Sequence, residues 1–311
     1  MQRRLLKLAV LLGLLGFPLV GSSYGVSILT IILIYGVFAM SLDLLMGYTG
    51  LASFGHAAFL GIGAYAAGLA GINLSASIWV TFTIGVAASA AGAALIGVLA
   101  IRSGGVYFLM LTLAVAQLIF AFVASGDFAG GANGLPGIPP PEFAPLWELA
   151  DFSDRTPFYY LTLVMALASF WFLQGLVKAP FGRVLVGIRE NEGRMRALGY
   201  ATDRYKLAAF VIAGTFAGAA GCFYSYDRGF TSPEILNWTT SGMAIAMVII
   251  GGTGTLIGPF IGSGVYTVLQ DVLSSYTDRW QLILGVIFLV FVFALRDGIV
   301  GRFRRRMVRR T

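Results

Sequence analysis

The chain has 311 residues, 58% of them hydrophobic and only 11% charged, with a mean hydropathy of +0.85. Soluble domains carry about 25% charged residues, so this composition excludes an ordinary soluble domain and predicts an all-α polytopic integral membrane protein, one transmembrane domain over residues 1–311. The net charge of +7 is concentrated in Arg102, a loop at 178–206 and the tail from Arg296 to Arg310; that clustering reports topology and argues against a nucleic-acid partner.

A span needs about 20 apolar residues to cross about 30 Å of hydrocarbon. On that measure Leu5–Gly21, Val26–Met46, Leu51–Gly71, Ser77–Ala100, Val106–Ser125, Phe158–Val177 and Leu207–Tyr226 read as single crossings. The first has the basic start of a signal peptide in Arg3, Arg4 and Lys7, but no Ala-x-Ala site follows it, so it reads as a span. Gly242–Gln270 is broken by Gly251-Gly252-Thr253-Gly254, and Trp280–Leu295 closes the series. The expectation is about eight full transmembrane helices plus a glycine-broken pair of short helices.

Charge orients them. With the N-terminus inside, parity places Arg102 inside, Gly126–Pro157 outside, 178–206 inside and 227–241 outside. The outer loop holds Asp127, Glu142, Glu148, Asp151 and Asp154 against Arg155 alone. The tail returns to the inside only if the broken segment crosses twice or dips and turns back at its glycines.

The loop at 178–206 is the one long polar, helix-capable run. It carries Lys178, Arg183, Arg189, Arg194, Arg196, Arg204 and Lys206 against Glu190, Glu192 and Asp203. A helix from about Arg183 to Leu198, capped by Gly199, presents a charged face either to solvent or to a partner.

Two stretches share one punctuation. Gly47-Tyr48-Thr49-Gly50 leads to Gly61-Ile62-Gly63-Ala64-Tyr65, and Gly251-Gly252-Thr253-Gly254 leads to Gly262-Ser263-Gly264-Val265-Tyr266. Each turn follows a helix running from outside to inside, as a parallel internal repeat requires; the alternative is coincidence among 41 glycines. Glycine-interrupted segments at matching places in two halves point to a transport path between them. Small-x-x-x-small spacings such as Ala88/Gly92 and Gly214/Gly218 serve close helix packing instead. Three polar residues fall within spans: Asp43, near the inner end of its helix and read as structural; His56, the only histidine, read as a helix bridge or a path residue; and Gln117, expected to bond a neighbouring helix.

Catalytic chemistry is not encoded. One His and one Cys cannot build a thiolate or imidazole metal cluster, no nucleophile elbow is present, and no G-K-[ST] marks a phosphate loop. The lone Cys222 allows no intramolecular disulfide.

Four stretches carry a resemblance: MSLDLLMGYTGLASFGHAAFLGIGAY (Met40–Tyr65), GGANGLPGIP (Gly130–Pro139), GIRENEGRMRALGYATDRYKLAAFVIAG (Gly187–Gly214) and IIGGTGTLIGPFIGSGVY (Ile249–Tyr266). In this order they resemble the permease subunits of branched-chain amino acid ABC importers, of the LivM kind, with urea and short-amide permeases as close relatives. The resemblance implies a multi-pass subunit of the bacterial inner membrane with cytoplasmic N- and C-termini. It implies a paralogous permease, two cytoplasmic ATPase subunits that hydrolyse ATP, a periplasmic binding protein and surrounding lipid as partners, with no cofactor in this chain. It makes the 178–206 loop an ATPase-coupling segment, with Arg189, Glu190, Glu192 and Gly199 as its residues. Gly193 and Arg194 replace the small residues expected after the Glu, no Leu-Pro follows, and Asp43 stands where relatives would carry Asn. The path is expected along Gly47, Thr49, Gly50, His56, Gly61, Gly63, Tyr65, Gly251, Gly252, Thr253, Gly254, Gly262, Gly264 and Tyr266.

Overall fold

The computed structural model describes residues 12–18, 21–143, 152, 154–294 and 298–302. Residues 5–11 and 19–20 of the first predicted span, the basic residues before it, Glu148, Asp151, Arg296 and the basic tail after 302 lie outside the described residues. The helices, beyond a short one at 12–18, are α1 (Ser23–Asp43), α2 (His56–Asn73), α3 (Ile78–Ala100), α4 (Val106–Ser125), α5 (Arg155–Lys178), α6 (Pro180–Ala197), α7 (Thr202–Arg228), α8 (Trp238–Gly251), α9 (Gly258–Tyr276) and α10 (Trp280–Ala294). Among the described residues, strands are confined to a two-residue pair, β1 (Leu135–Pro136) against β2 (Phe230–Thr231).

Ser22 starts α1 by accepting a hydrogen bond from Gly25 N at 3.2 Å, a normal N-cap. At its far end α1 widens into a π-helical turn, Leu44–Thr49, and stops where Gly50 takes φ +80°. The third span was expected from Leu51, but residues 51–55 are not helical and α2 begins at His56. Gly55 is held there by close approach: a Cβ would fall on the Thr112 carbonyl oxygen.

By length and apolarity, five described helices suffice to cross a membrane: Ser23–Thr49, α3, α4, α5 and α7. The molecule is thus an all-α, multi-pass membrane protein. The glycine-broken segment is a pair of helices, as expected, and neither is among the described helices long and apolar enough to cross. Its second half, α9, has 19 residues and is about 28 Å long, while α8 has 14 and spans about 21 Å. Chain direction follows from cross-helix bonds. Ser263 Oγ donates to Ile32 O at 2.9 Å and the Tyr24 hydroxyl to Asp271 at 2.5 Å, so α9 runs back along α1.

Helices α1 and α7 form the centre. Their most apolar windows are 78% and 61% buried, against 22–28% for α3, α4 and α5. Glycine sets the spacing around them: a Cβ on Gly63 of α2 would sit 2.6 Å from Gly218 Cα of α7, and one on Gly221 would strike Leu60 O. Ser89 of α3 seals the same junction by donating to Phe59 O and Gly214 O at 3.0 and 2.9 Å. Packing and interhelical hydrogen bonds, rather than hydrophobic exclusion, hold helices together in lipid. At one end of the bundle β1 pairs with β2 and Ile138 N donates to Gly229 O; at the other lie the two glycine turns and α6.

Candidate functional site

The two G-x-T-G turns meet at the α6 end of the bundle. Asp43, fully buried in the last turn of α1, reaches across to the link between α8 and α9. Its Oδ1 accepts from Gly254 N at 2.7 Å, and Oδ2 accepts from Thr255 N and Leu256 N, each at 3.2 Å. Three backbone donors on one carboxylate form a compact anion cradle. The link needs the help: Leu256 is a non-glycine residue at φ +54°, a conformation that costs about 1 kcal/mol or more. Thr255 finishes the turn by donating to Gly252 O and accepting from Gly258 N. Gly47 must be glycine, because a Cβ would collide with Asp43 Oδ1 and Gly254 N.

Helix α6 closes the third side. Pro180 sits in its first turn, where a missing N–H costs nothing. The predicted helix is in fact two, since Asn191 breaks it with φ −161°, ψ 95°, and its Oδ1 caps the second piece by accepting from Arg194 N at 2.9 Å. The break lets Met195 fold onto Gly187. Gly199 takes φ +88° and ends the second piece with a bond from its N–H to Arg196 O.

Just before the break, Arg189 donates from Nη1 to Gly47 O, and its guanidinium is within electrostatic reach of Asp43. The stem lies against Gly50, where a Cβ would sit 2.8 Å from Arg189 Cγ, and Nη1 lies 3.7 Å from the Cβ position of Gly254. One side chain of α6 therefore touches both glycine turns. Of the four coupling residues read from the sequence, Arg189 and Glu190 are both exposed, and Arg189 alone of these two bonds the bundle, through Gly47 O.

Glu192 holds the loop to itself. It accepts from Lys206 at 2.8 Å, from Arg196 at 2.9 Å and from the Thr202 hydroxyl at 3.2 Å, while Lys206, nearly buried, also donates to Ile101 O. Burial alone would raise the Glu192 pKa; Lys206, Thr202 and Arg196 together outweigh it and hold the carboxyl below its ordinary value.

The remaining path residues fall into separate places. Thr49 donates to Leu44 O inside the π turn, and Thr253 is exposed. Gly61 meets Leu236; Gly63 meets Gly218; Gly262 meets Met247 O; Gly251 meets Gly258 O. All four are helix contacts, whereas Gly264 is open apart from Ile32 at 3.8 Å. His56 is fully buried, bonds Ser41 at 2.8 Å through Nε2, and stacks on Phe38 with centroids 5.3 Å apart. Tyr65 keeps a buried hydroxyl without a partner, as does the Gln117 amide nitrogen that was expected to bond a neighbouring helix. Tyr266 lies near Tyr35 of α1. The sequence reading gave Asp43 a structural role but missed its partners Thr255 and Leu256; the visible signal was a carboxylate one turn before a glycine turn.

Comparison with known proteins adds identity to this geometry. The profile of the family described as "Branched-chain amino acid transport system / permease component" matches residues 24–295. The high-affinity branched-chain amino acid transport system permease protein LivM of Salmonella typhimurium is 27% identical over 98% of this chain and 77% of its own length, as is LivM of Escherichia coli. The autoinducer 2 import system permease protein LsrC of Photorhabdus laumondii is 29% identical over 65% of this chain and 58% of its own length. No solved structure matches the chain.

Proposed function

Because the chain belongs to the branched-chain amino acid transport system permease family, we propose that it is the translocation subunit of an ATP-binding-cassette importer for branched-chain or related amino acids. In this reading about eight crossings sit in the bacterial inner membrane, with both termini and α6 cytoplasmic and the β1–β2 end periplasmic. A paralogous permease completes the pore, two ATPase subunits hydrolyse ATP, and a periplasmic protein delivers substrate. No ATP site is assigned to this chain.

The observation that carries the mechanism is Arg189, which joins α6 to Gly47 while facing the Asp43 carboxylate that holds residues 254–256. An ATPase docked on the exposed surface of α6 and the turn after it, around Glu190, Leu198 and Tyr200, moves a helix already attached to the junction of the two glycine turns. ATP biases access to one side only through the ATPase's different affinity for the two permease states. The amino-acid cargo is supported by the LivM relatives; the LsrC relatives mark autoinducer 2 as the alternative to test.

The test is co-purification and uptake. The tagged chain, extracted gently from its native membrane, should bring an ATPase subunit with it, and Glu190→Lys with Leu198→Asp should release that subunit while leaving membrane insertion intact. Glu192 is avoided, since its reversal would also break the Lys206 network. Cells carrying the full operon should accumulate labelled L-leucine. Retention of the ATPase by the double variant refutes docking on this face, and uptake of autoinducer 2 alone moves the cargo assignment.

A further inference from the structure

Toward the β1–β2 end, three central helices place polar side chains together where an apolar bundle has no need of them. Tyr35 of α1 and Tyr224 of α7 have ring centroids 6.2 Å apart, and Tyr266 of α9 lies within electrostatic reach of Tyr35. Arg228, one helical turn beyond Tyr224 on the same face of α7, sets its guanidinium carbon 6.0 Å from the Tyr224 ring centroid. Its neighbour Asp227 keeps a side chain only 17% exposed and meets Arg228 Nε at 3.7 Å.

That contact occupies one edge of the guanidinium. Its two Nη groups, the fork that pairs with a carboxylate, have no hydrogen-bond partner among the described residues. The other cation facing Asp227 is Arg155, which is committed to Ser27 Oγ at 2.7 Å and to Ser23 O; Glu234 faces Tyr224 from the link before α8. Arg228 is 53% exposed at the rim, whereas Tyr35 and Tyr224 are half-buried and Tyr266 is only 9% exposed, so the cluster runs from a charged mouth to a phenolic interior.

We propose that Arg228, Asp227 and the phenols of Tyr224, Tyr35 and Tyr266 form a substrate station for a zwitterionic α-amino acid. The Arg228 fork takes the carboxylate and Asp227 the ammonium. An α-amino acid carries both charged groups on one carbon, which suits two opposite charges on adjacent residues; the Tyr35 and Tyr224 hydroxyls, bonded to each other, and Tyr266 line the next step inward. This rests on the amino-acid importer reading and deepens it, because an uncharged amide or a sugar needs neither member of the pair.

The experiment uses the complete importer in cells without leucine uptake of their own, with labelled L-leucine as the probe. Charged hydrogen bonds contribute about 1.5–3 kcal/mol, so Arg228→Gln should lower uptake at limiting leucine by about tenfold or more, at unchanged membrane level and ATPase co-purification. Arg228→Lys keeps the charge without the fork and should recover part of the loss, which a merely structural arginine would not predict. Tyr224→Phe, which keeps the ring, should cost several-fold and decides the matter if Arg228→Gln fails to reach the membrane. Wild-type uptake by Arg228→Gln and by Tyr224→Phe overturns the station alone. A wild-type importer that holds its ATPases but moves no amino acid overturns the cargo reading and the station with it.

Discussion

Replacing Asp43 by Asn tests the junction most directly. The carboxylate uses both oxygens, one for Gly254 N and the other for Thr255 N and Leu256 N. An Asn amide offers one oxygen and turns an NH2 toward the remaining donor, so at least one bond is lost and a buried N–H is left facing another donor. An unsatisfied buried group costs about 1–3 kcal/mol, a shift of about 5- to 150-fold toward open forms of the 252–257 link. Hydrogen–deuterium exchange of a peptide covering residues 252–257 reads those amides themselves. The Asn variant should exchange there about ten- to a hundredfold faster while the core of α7 stays protected. Equal protection of 254–256 in variant and wild type would falsify the assignment of Asp43 as the anchor of the second turn.

Three further outcomes follow from the same contacts. Arg189→Gln removes a charged donor to Gly47 O and should cut uptake about tenfold or more with the ATPase still bound, whereas loss of ATPase binding would make Arg189 a docking residue instead. Gly47→Ala puts a Cβ on Asp43 Oδ1 and Gly254 N and should abolish uptake, while Gly264→Ala, open but for Ile32 at 3.8 Å, should be near neutral; the two uptake rates checked side by side decide it. The Glu192 network has a pH signature. Its folded pKa lies below the unfolded one, so its contribution is complete above the ordinary value near 4.3 and is lost as pH falls through the lower folded value. Exchange protection of residues 192–199, corrected for intrinsic rates, should therefore be flat from pH 8 to 5 and drop only in stronger acid.

Several parts of this molecule were legible before any coordinates. The membrane class followed from composition, and the Gly199 cap from one glycine after a polar helix. Helix ends were less legible, because α7 begins at Thr202 rather than Leu207: Lys206 looked like loop charge but lies buried against Ile101 O and Glu192. The break in α6 at Asn191 was invisible for a related reason. Asn carries only a modest helix penalty, and its use as an internal cap depends on Met195 finding room over Gly187. Glycines marked as path residues divided by what stood opposite them, and no sequence pattern states what stands opposite. The Arg189 contact with Gly47 could not be read from the sequence, because it is a tertiary fact 142 residues away.

The position of Asp43 on α1 suggests how the two ends of the bundle communicate. Tyr35 and Asp43 are eight residues apart on one buried helix, about 12 Å along its axis. A ligand that draws Tyr35, Tyr224 and Tyr266 together acts on α1, α7 and α9 at once, and α1 and α9 are the helices that flank the Asp43 junction. In the proposed importer an ATPase docked on α6 would act on the same junction from the other side, through the Arg189 bond to Gly47 O. Two sites are coupled when both bias one two-state element, and in the proposed importer the carboxylate bridge between the glycine turns is the element placed to serve as one. Asp43→Asn should then weaken the link without touching either site. In the assembled importer, it should lower the stimulation of ATP hydrolysis by loaded binding protein while the basal ATPase rate stays up. Undiminished stimulation in that variant would place the communication elsewhere, along the glycine-packed seam of α2, α3 and α7.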